Sequence, residues 1–181
     1  LYSGSTGNAA YLETSQARIL IDAGKCTKTL ISSLKAIGVD VDTLDAIFIT
    51  HEHTDHIQGI RVLASKHNIP VYASAGTLEA LADNGTLNGK FPAHVIPAEG
   101  VEVNGMFIRP FHTPHDSRES CGYSVVTPDG KRISVATDIG KMTDTVMDAI
   151  HGSDLVLLES NHDEGMLRNG PYPYYLKRRI L

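Results

Sequence analysis

Thr50-His51-Glu52-His53-Thr54-Asp55-His56 places three histidines and two carboxylates within positions 51 to 56, directly after the largely apolar run Leu44-Asp45-Ala46-Ile47-Phe48-Ile49. Packing explains such a stretch poorly, because each imidazole or carboxylate costs free energy when desolvated without a partner. A metal ion is the partner that this mixture of donors suits. His51 and His53 are two positions apart, so in an extended segment their side chains point the same way and close on one ion. Asp55 and His56 follow on the turn that starts the next helix and reach a second ion beside the first.

The same grammar recurs downstream. Phe107 to Phe111 leads into His112-Thr113-Pro114-His115-Asp116, Ile133 to Ala136 into Thr137-Asp138, and Leu155 to Leu158 into Glu159-Ser160-Asn161-His162. Gathered at one edge of a sheet, these strand ends form a common site. His115 is the better ligand candidate because Pro114 turns the chain there, whereas His112 is read as finishing a strand on a packed face. Asp138 has two carboxylate oxygens and can bridge two cations; its alternative is an ordinary turn or helix-start aspartate. Asp22, at the end of Leu20-Ile21, either accepts a hydrogen bond from a ligand imidazole or begins a turn, and the first role is preferred. His67, His94 and His151 lack carboxylate-rich surroundings and read as surface or boundary residues.

A chain of 181 residues with 41% hydrophobic content suits one domain, 1–181, with one substantial core. The formal charge of −5 argues against gripping nucleic acid through an overall positive field, although a local basic strip or bound cations can still do so. Cys26 and Cys121 form no C-x-x-C pair, which points away from a disulfide framework or thiolate zinc site and towards free thiols of the cytoplasm. No apolar stretch approaches the roughly 20 residues needed to span a bilayer, and Leu1-Tyr2-Ser3-Gly4-Ser5 has no signal-peptide character. The missing initiator Met and the end at Ile180-Leu181 are expected of a trimmed chain. The nearby Lys177-Arg178-Arg179 run reads as an exposed basic helix end.

Short strands are expected at Ala9 to Glu13, Ala17 to Ile21, Asp45 to Ile49 and Val71 to Ala73, with helices over Lys25 to Ile37, from Ile57 toward His67, and over Thr77 to Ala82. Asn84 to Lys90 has turn chemistry throughout and is read as a mobile surface excursion. The second half is expected to be mostly antiparallel sheet: Val95-Ile96, Val101 to Val103, Met106 to Phe111, Gly122 to Thr127 and Arg132 to Ala136. A helix over Thr143 to Ile150 and a fully apolar strand, Asp154 to Leu158, follow. Mixed elements in this order imply an α/β (α+β) fold of sheet layers covered by helices.

His51-x-His53-x-Asp55-His56, preceded by Leu20-Ile21-Asp22-Ala23-Gly24 and followed by His115 and Asp138, resembles the metallo-β-lactamase superfamily over nearly the whole chain. The resemblance implies a four-layer αβ/βα sandwich with a two-metal site between the sheets. It assigns His51, His53 and His115 to the first metal, Asp55 and His56 to the second, and the bridge to Asp138. Ser3-Gly4-Ser5-Thr6-Gly7-Asn8 and Glu159-Ser160-Asn161-His162-Asp163 are further similar to the YycJ-type (WalJ, VicX) branch, related to ribonuclease Z and ribonuclease J. That branch implies a 5′-to-3′ DNA exonuclease working with manganese or zinc. Ser5, Asn8 and Asn161 then face the nucleic acid, the Gly-Ser turn being either phosphate-facing or merely structural. Asp55 and His162 take catalytic roles, orienting a hydroxide that bridges the metals and protonating the leaving oxygen. The superfamily's further C-terminal histidine has no counterpart after His162, so either the chain stops short of it or the second metal binds weakly. Two other functions fit the same residues, a thioester or lactam hydrolase of small acyl substrates and a metal-binding module without turnover.

Overall fold

In the computed structural model, which describes residues 1–159, 168–171, 173, 174 and 177, two short strands explain the layering. Arg18–Ile21 (β2) and Ala46–Phe48 (β3) are apolar on both faces. Leu20, Ile47 and the following Ile49 pack with Leu30, Leu34, Ile60, Leu63 and Leu81. Their alternates Ile19, Ile21, Ala46 and Phe48 pack with Met106, Ile108, Tyr123, Val125 and Val135. Strands apolar on both faces must be covered on both, here by helices on one side and a second sheet on the other.

The first sheet runs Ala10–Glu13 (β1), β2, β3, Val71–Ala73 (β4) and Ala93–Val95 (β5), antiparallel at its first pair and parallel thereafter. Thr27–Ala36 (α1), Ile60–His67 (α3) and Ala75–Asp83 (α4) bury Leu30, Leu34, Leu63 and Leu81 against its outer face. The second sheet orders Val101–Val103 (β6), Met106–His112 (β7), Cys121–Val126 (β8) and Arg132–Ala136 (β9) antiparallel, with Leu155–Leu158 (β10) parallel to β9 at the edge. Asp144–Ile150 (α5) packs Val146 against Ala136 and Ile139 on its far side. Helix, sheet, sheet, helix is the four-layer sandwich expected from the sequence.

Several local expectations give way to tertiary packing. The helix after the histidine cluster is two pieces, Thr54–Ile57 (α2) and α3. They part at Gly59, whose N–H donates to Ala23 O and where a Cβ would stand 2.4 Å from Lys25 O. The Val95 strand joins the first sheet, because the crossover through α4 lays it parallel beside β4. The apolar β10 is exposed, Leu155 at 60%, since among the described residues no strand covers its outer edge. His112 is exposed as well: β7 outruns the core and ends beside a cleft of about 290 Å³ lined by Val95, Ile96 and Cys121. His67 lies against Asp42, a carboxylate brought in from distant sequence. The Asn84–Lys90 turn is anchored, with Leu87 packed on the core and Asn88 hydrogen-bonded to Ser65. Among the described residues no helix is long and apolar enough to cross a membrane.

Candidate metal centre

Strands of both sheets deliver polar groups to one edge. Asp22 follows β2, Thr50 and His51 follow β3, His115 follows β7, Asp138 follows β9 and Glu159 follows β10. Asp22 (φ 64°) and Asp138 (φ 51°) are two of four non-glycine residues with left-handed backbone among the described residues. Such conformations cost free energy and persist where the surroundings over-determine them, commonly at functional sites.

Thr50 is the hub. Its N–H and hydroxyl both donate to Asp22, at 2.9 Å each to the nearer oxygen, and its hydroxyl lies 3.0 Å from His51 Nδ1. Asp22 Oδ2 stands 2.8 Å from His56 Nδ1, which fixes a proton there and directs Nε2 into the cluster, 3.0 Å from Asp138 Oδ2. Across the gap His115 Nε2 and His53 Nδ1 are 3.1 Å apart. His51 Nε2 is buried with no hydrogen-bond partner. One nitrogen or oxygen from each of His51, His53 and His115, and likewise from His51, His56 and Asp138, falls within 4.8 Å of the others. Converging imidazole nitrogens, one of the histidines carrying an orphaned buried nitrogen, suit a divalent cation, and the nitrogen and oxygen donors accept zinc, manganese or iron.

Electrostatics prepares the same groups. Burial, then the neighbouring His56, pushes the His51 imidazole down to about 2, and burial lowers that of His115. Both rings are therefore neutral, the form a cation requires. Burial pulls His56 down too, but Asp22 and Asp138 together outweigh it and raise the imidazole to about 10. Burial opposes ionisation of Asp138, yet its hydrogen bond to His56 and the imidazole's charge hold the carboxyl below its ordinary value.

The structure thus brings together His51, His53, His56, His115 and Asp138, with Asp22 braced behind His56. Asp55 stands at the rim, 3.7 Å from His56 Nε2 and in neither close group. Asn8 Nδ2 reaches the same nitrogen at 3.0 Å, while Ser5 is exposed in the adjoining turn. Asn161 and His162 lie outside the described residues. Sequence reasoning assigned no role to three supports. Thr50 is signalled only by its place between strand and motif. Glu159, raised by burial, accepts the Ile139 N–H at 2.7 Å and braces the Asp138 turn. Tyr123 donates to Ile49 O at 2.6 Å from the facing sheet.

Fold and cluster together define a hydrolytic enzyme of the metallo-β-lactamase fold. The sequence matches the β-lactamase superfamily domain over residues 17–172, and the chain belongs to that superfamily. It is 36% identical over 185 aligned positions to a Bacillus anthracis protein named exodeoxyribonuclease YycJ, covering all of this chain and 69% of that one. It is 38% identical to exodeoxyribonuclease WalJ of Streptococcus pneumoniae, covering 68% of that protein. Among solved structures, Zn²⁺-bound PqqB from Methylobacterium extorquens superposes with a TM-score of 0.72 at 19% identity, covering 93% of this chain and 63% of that one.

Proposed function

We propose that the chain is a metal-dependent phosphodiesterase acting on nucleic acid, a 5′-to-3′ DNA exonuclease working as one domain, 1–181, in the cytoplasm. The observation that carries this is the buried, unpartnered Nε2 of His51, the residue common to both close donor groups. The names of the YycJ and WalJ relatives support DNA as the substrate. In this reading His51, His53 and His115 hold one divalent cation, manganese or zinc. His56 and Asp55 would hold a second, with Asp138 serving both. When bound, such a pair supplies Lewis acidity, making hydroxide available near pH 7 and neutralising charge on a phosphodiester.

The protein's own groups do the rest. Asp22 and Thr50 hold the His56 and His51 rings in one orientation. Asp55, partly exposed at the rim, orients the attacking water, and His162 donates a proton to the leaving oxygen. Ser5, Asn8 and Asn161 bind the nucleic acid.

Labelled single- and double-stranded DNA, with a 5′-phosphate or a 5′-hydroxyl, tests the proposal in Mn²⁺ or Zn²⁺. His53→Ala and Asp138→Ala are expected to lose about a hundredfold or more of the hydrolysis while still folding, as a cooperative melting transition shows. A wild-type protein that takes up two cations yet cleaves neither DNA nor RNA would overturn it.

A further inference from the structure

The amide of Asn8 is held in one orientation that the cluster itself does not explain. Asn8 Oδ1 accepts the Gly4 N–H at 2.9 Å, and its Nδ2 donates to Gly4 O at 3.2 Å. Turning the amide over would set N–H against N–H and oxygen against oxygen, so the pair of bonds fixes which end faces the site. The backbone is fastened at the same residue: Asn8 N donates to Asp55 O at 2.7 Å, and Gly24 N donates to Asn8 O at 2.8 Å. Lys25 ties down the turn beside it, its ammonium donating to Thr6 O at 2.7 Å.

The remaining N–H of Nδ2 therefore projects over the second half of the cluster. It stands 3.0 Å from His56 Nε2, but Asp138 Oδ2 lies at the same distance from that nitrogen, so the ring hydrogen points to the carboxylate and leaves Asn8 no lone pair there. The other acceptor within reach, Asp55 Oδ2, is distant at 3.4 Å. An oriented donor with no good acceptor within reach is complementary to an anionic oxygen arriving from outside.

Resting on the phosphodiesterase reading, we infer that Asn8 is a specificity residue whose Nδ2–H donates to a non-bridging oxygen of the substrate phosphate. The turn formed by Gly4, Thr6 and Asn8 thus selects phosphoryl substrates over acyl ones. A phosphate oxygen offers a full negative charge to that N–H, whereas the carbonyl of a thioester or lactam offers only a dipole.

Inorganic phosphate, titrated calorimetrically into the cation-loaded protein, is the probe, with cation content measured by elemental analysis. Asn8→Ala is expected to weaken phosphate binding about tenfold, as loss of a hydrogen bond to a charged group does, with cation content unchanged. Asn8→Asp is expected to abolish phosphate binding while retaining the cations, because it replaces the donor with a like charge. If the alanine variant does not fold, Asn8→Gln, whose longer arm displaces the amide from Gly4, takes its place with the same expectation. Phosphate affinity within twofold of wild type in the folded variant overturns the inference. Loss of a cation from it does so too, since Asn8 would then serve the metal. A wild-type protein that holds no cations would instead defeat the reading on which the inference rests.

Discussion

Replacing Asp22 by asparagine isolates what one buried carboxylate does for the centre. Asp22 is 2% exposed and makes three contacts that share its charge: the Thr50 N–H, the Thr50 hydroxyl and His56 Nδ1 at 2.8 Å. Asparagine keeps the shape and an acceptor for the Thr50 N–H but cannot balance the charge of His56. Breaking a buried pair by deleting one partner costs about 3–5 kcal/mol, and retained neutral hydrogen bonds recover part of that, leaving about 2–3 kcal/mol. In a chain of this size that lowers the melting temperature of the metal-free protein by roughly 4–12 °C.

The effect carries a pH signature. His56 is raised from 6.5 to about 10, so its protonated form stabilises the fold fully below pH 6.5 and that contribution is lost as pH rises through 10. The gap between wild type and variant is therefore widest below pH 6.5 and narrows toward pH 10. Cation affinity, read by calorimetry, should fall by about 10- to 100-fold, because His56 loses the group that fixes its tautomer and angle. A variant that melts within about 1 °C of wild type and binds cations equally would refute this account of the centre.

His51 acts in the opposite direction on the acid side. Its imidazole is depressed from 6.5 to about 2, so the metal-free protein loses stability as pH falls below 6.5, by up to about 1.4 kcal/mol per unit, and His51→Gln flattens that limb of a pH-melting profile. Tyr123→Phe removes the 2.6 Å bond to Ile49 O and leaves that carbonyl buried without it; about 1–2 kcal/mol is expected by urea unfolding. Gly24→Ala would put a Cβ 1.6 Å from Asp55 O and 2.5 Å from Asn8 N. It should cost more than about 3 kcal/mol, seen as loss of soluble protein or of cooperative melting.

The uninterrupted apolar runs Ile19-Leu20-Ile21 and Ala46-Ile47-Phe48-Ile49 are local information, and they pointed by themselves to strands covered on both faces, hence to sheet layers under helices. The spacing of His51, His53 and His56 likewise marked half of a candidate centre, because ligand types crowded after an apolar strand have few packing explanations. Pairings set by long-range geometry were not legible. Whether Val95 continues the first sheet or begins the second depends on how the α4 crossover packs. Whether Leu155 to Leu158 is buried depends on what else pairs with β10. The left-handed turns at Asp22 and Asp138, and the grip of Gly4 on Asn8, arise because separate strands and loops close on one edge and force those backbones and that amide into place. Composition named the donors; only the tertiary structure decided which atoms of Asp22, His56, Asp55 and Asn8 face one another, since a hydrogen bond depends on positions that distant parts of the chain supply.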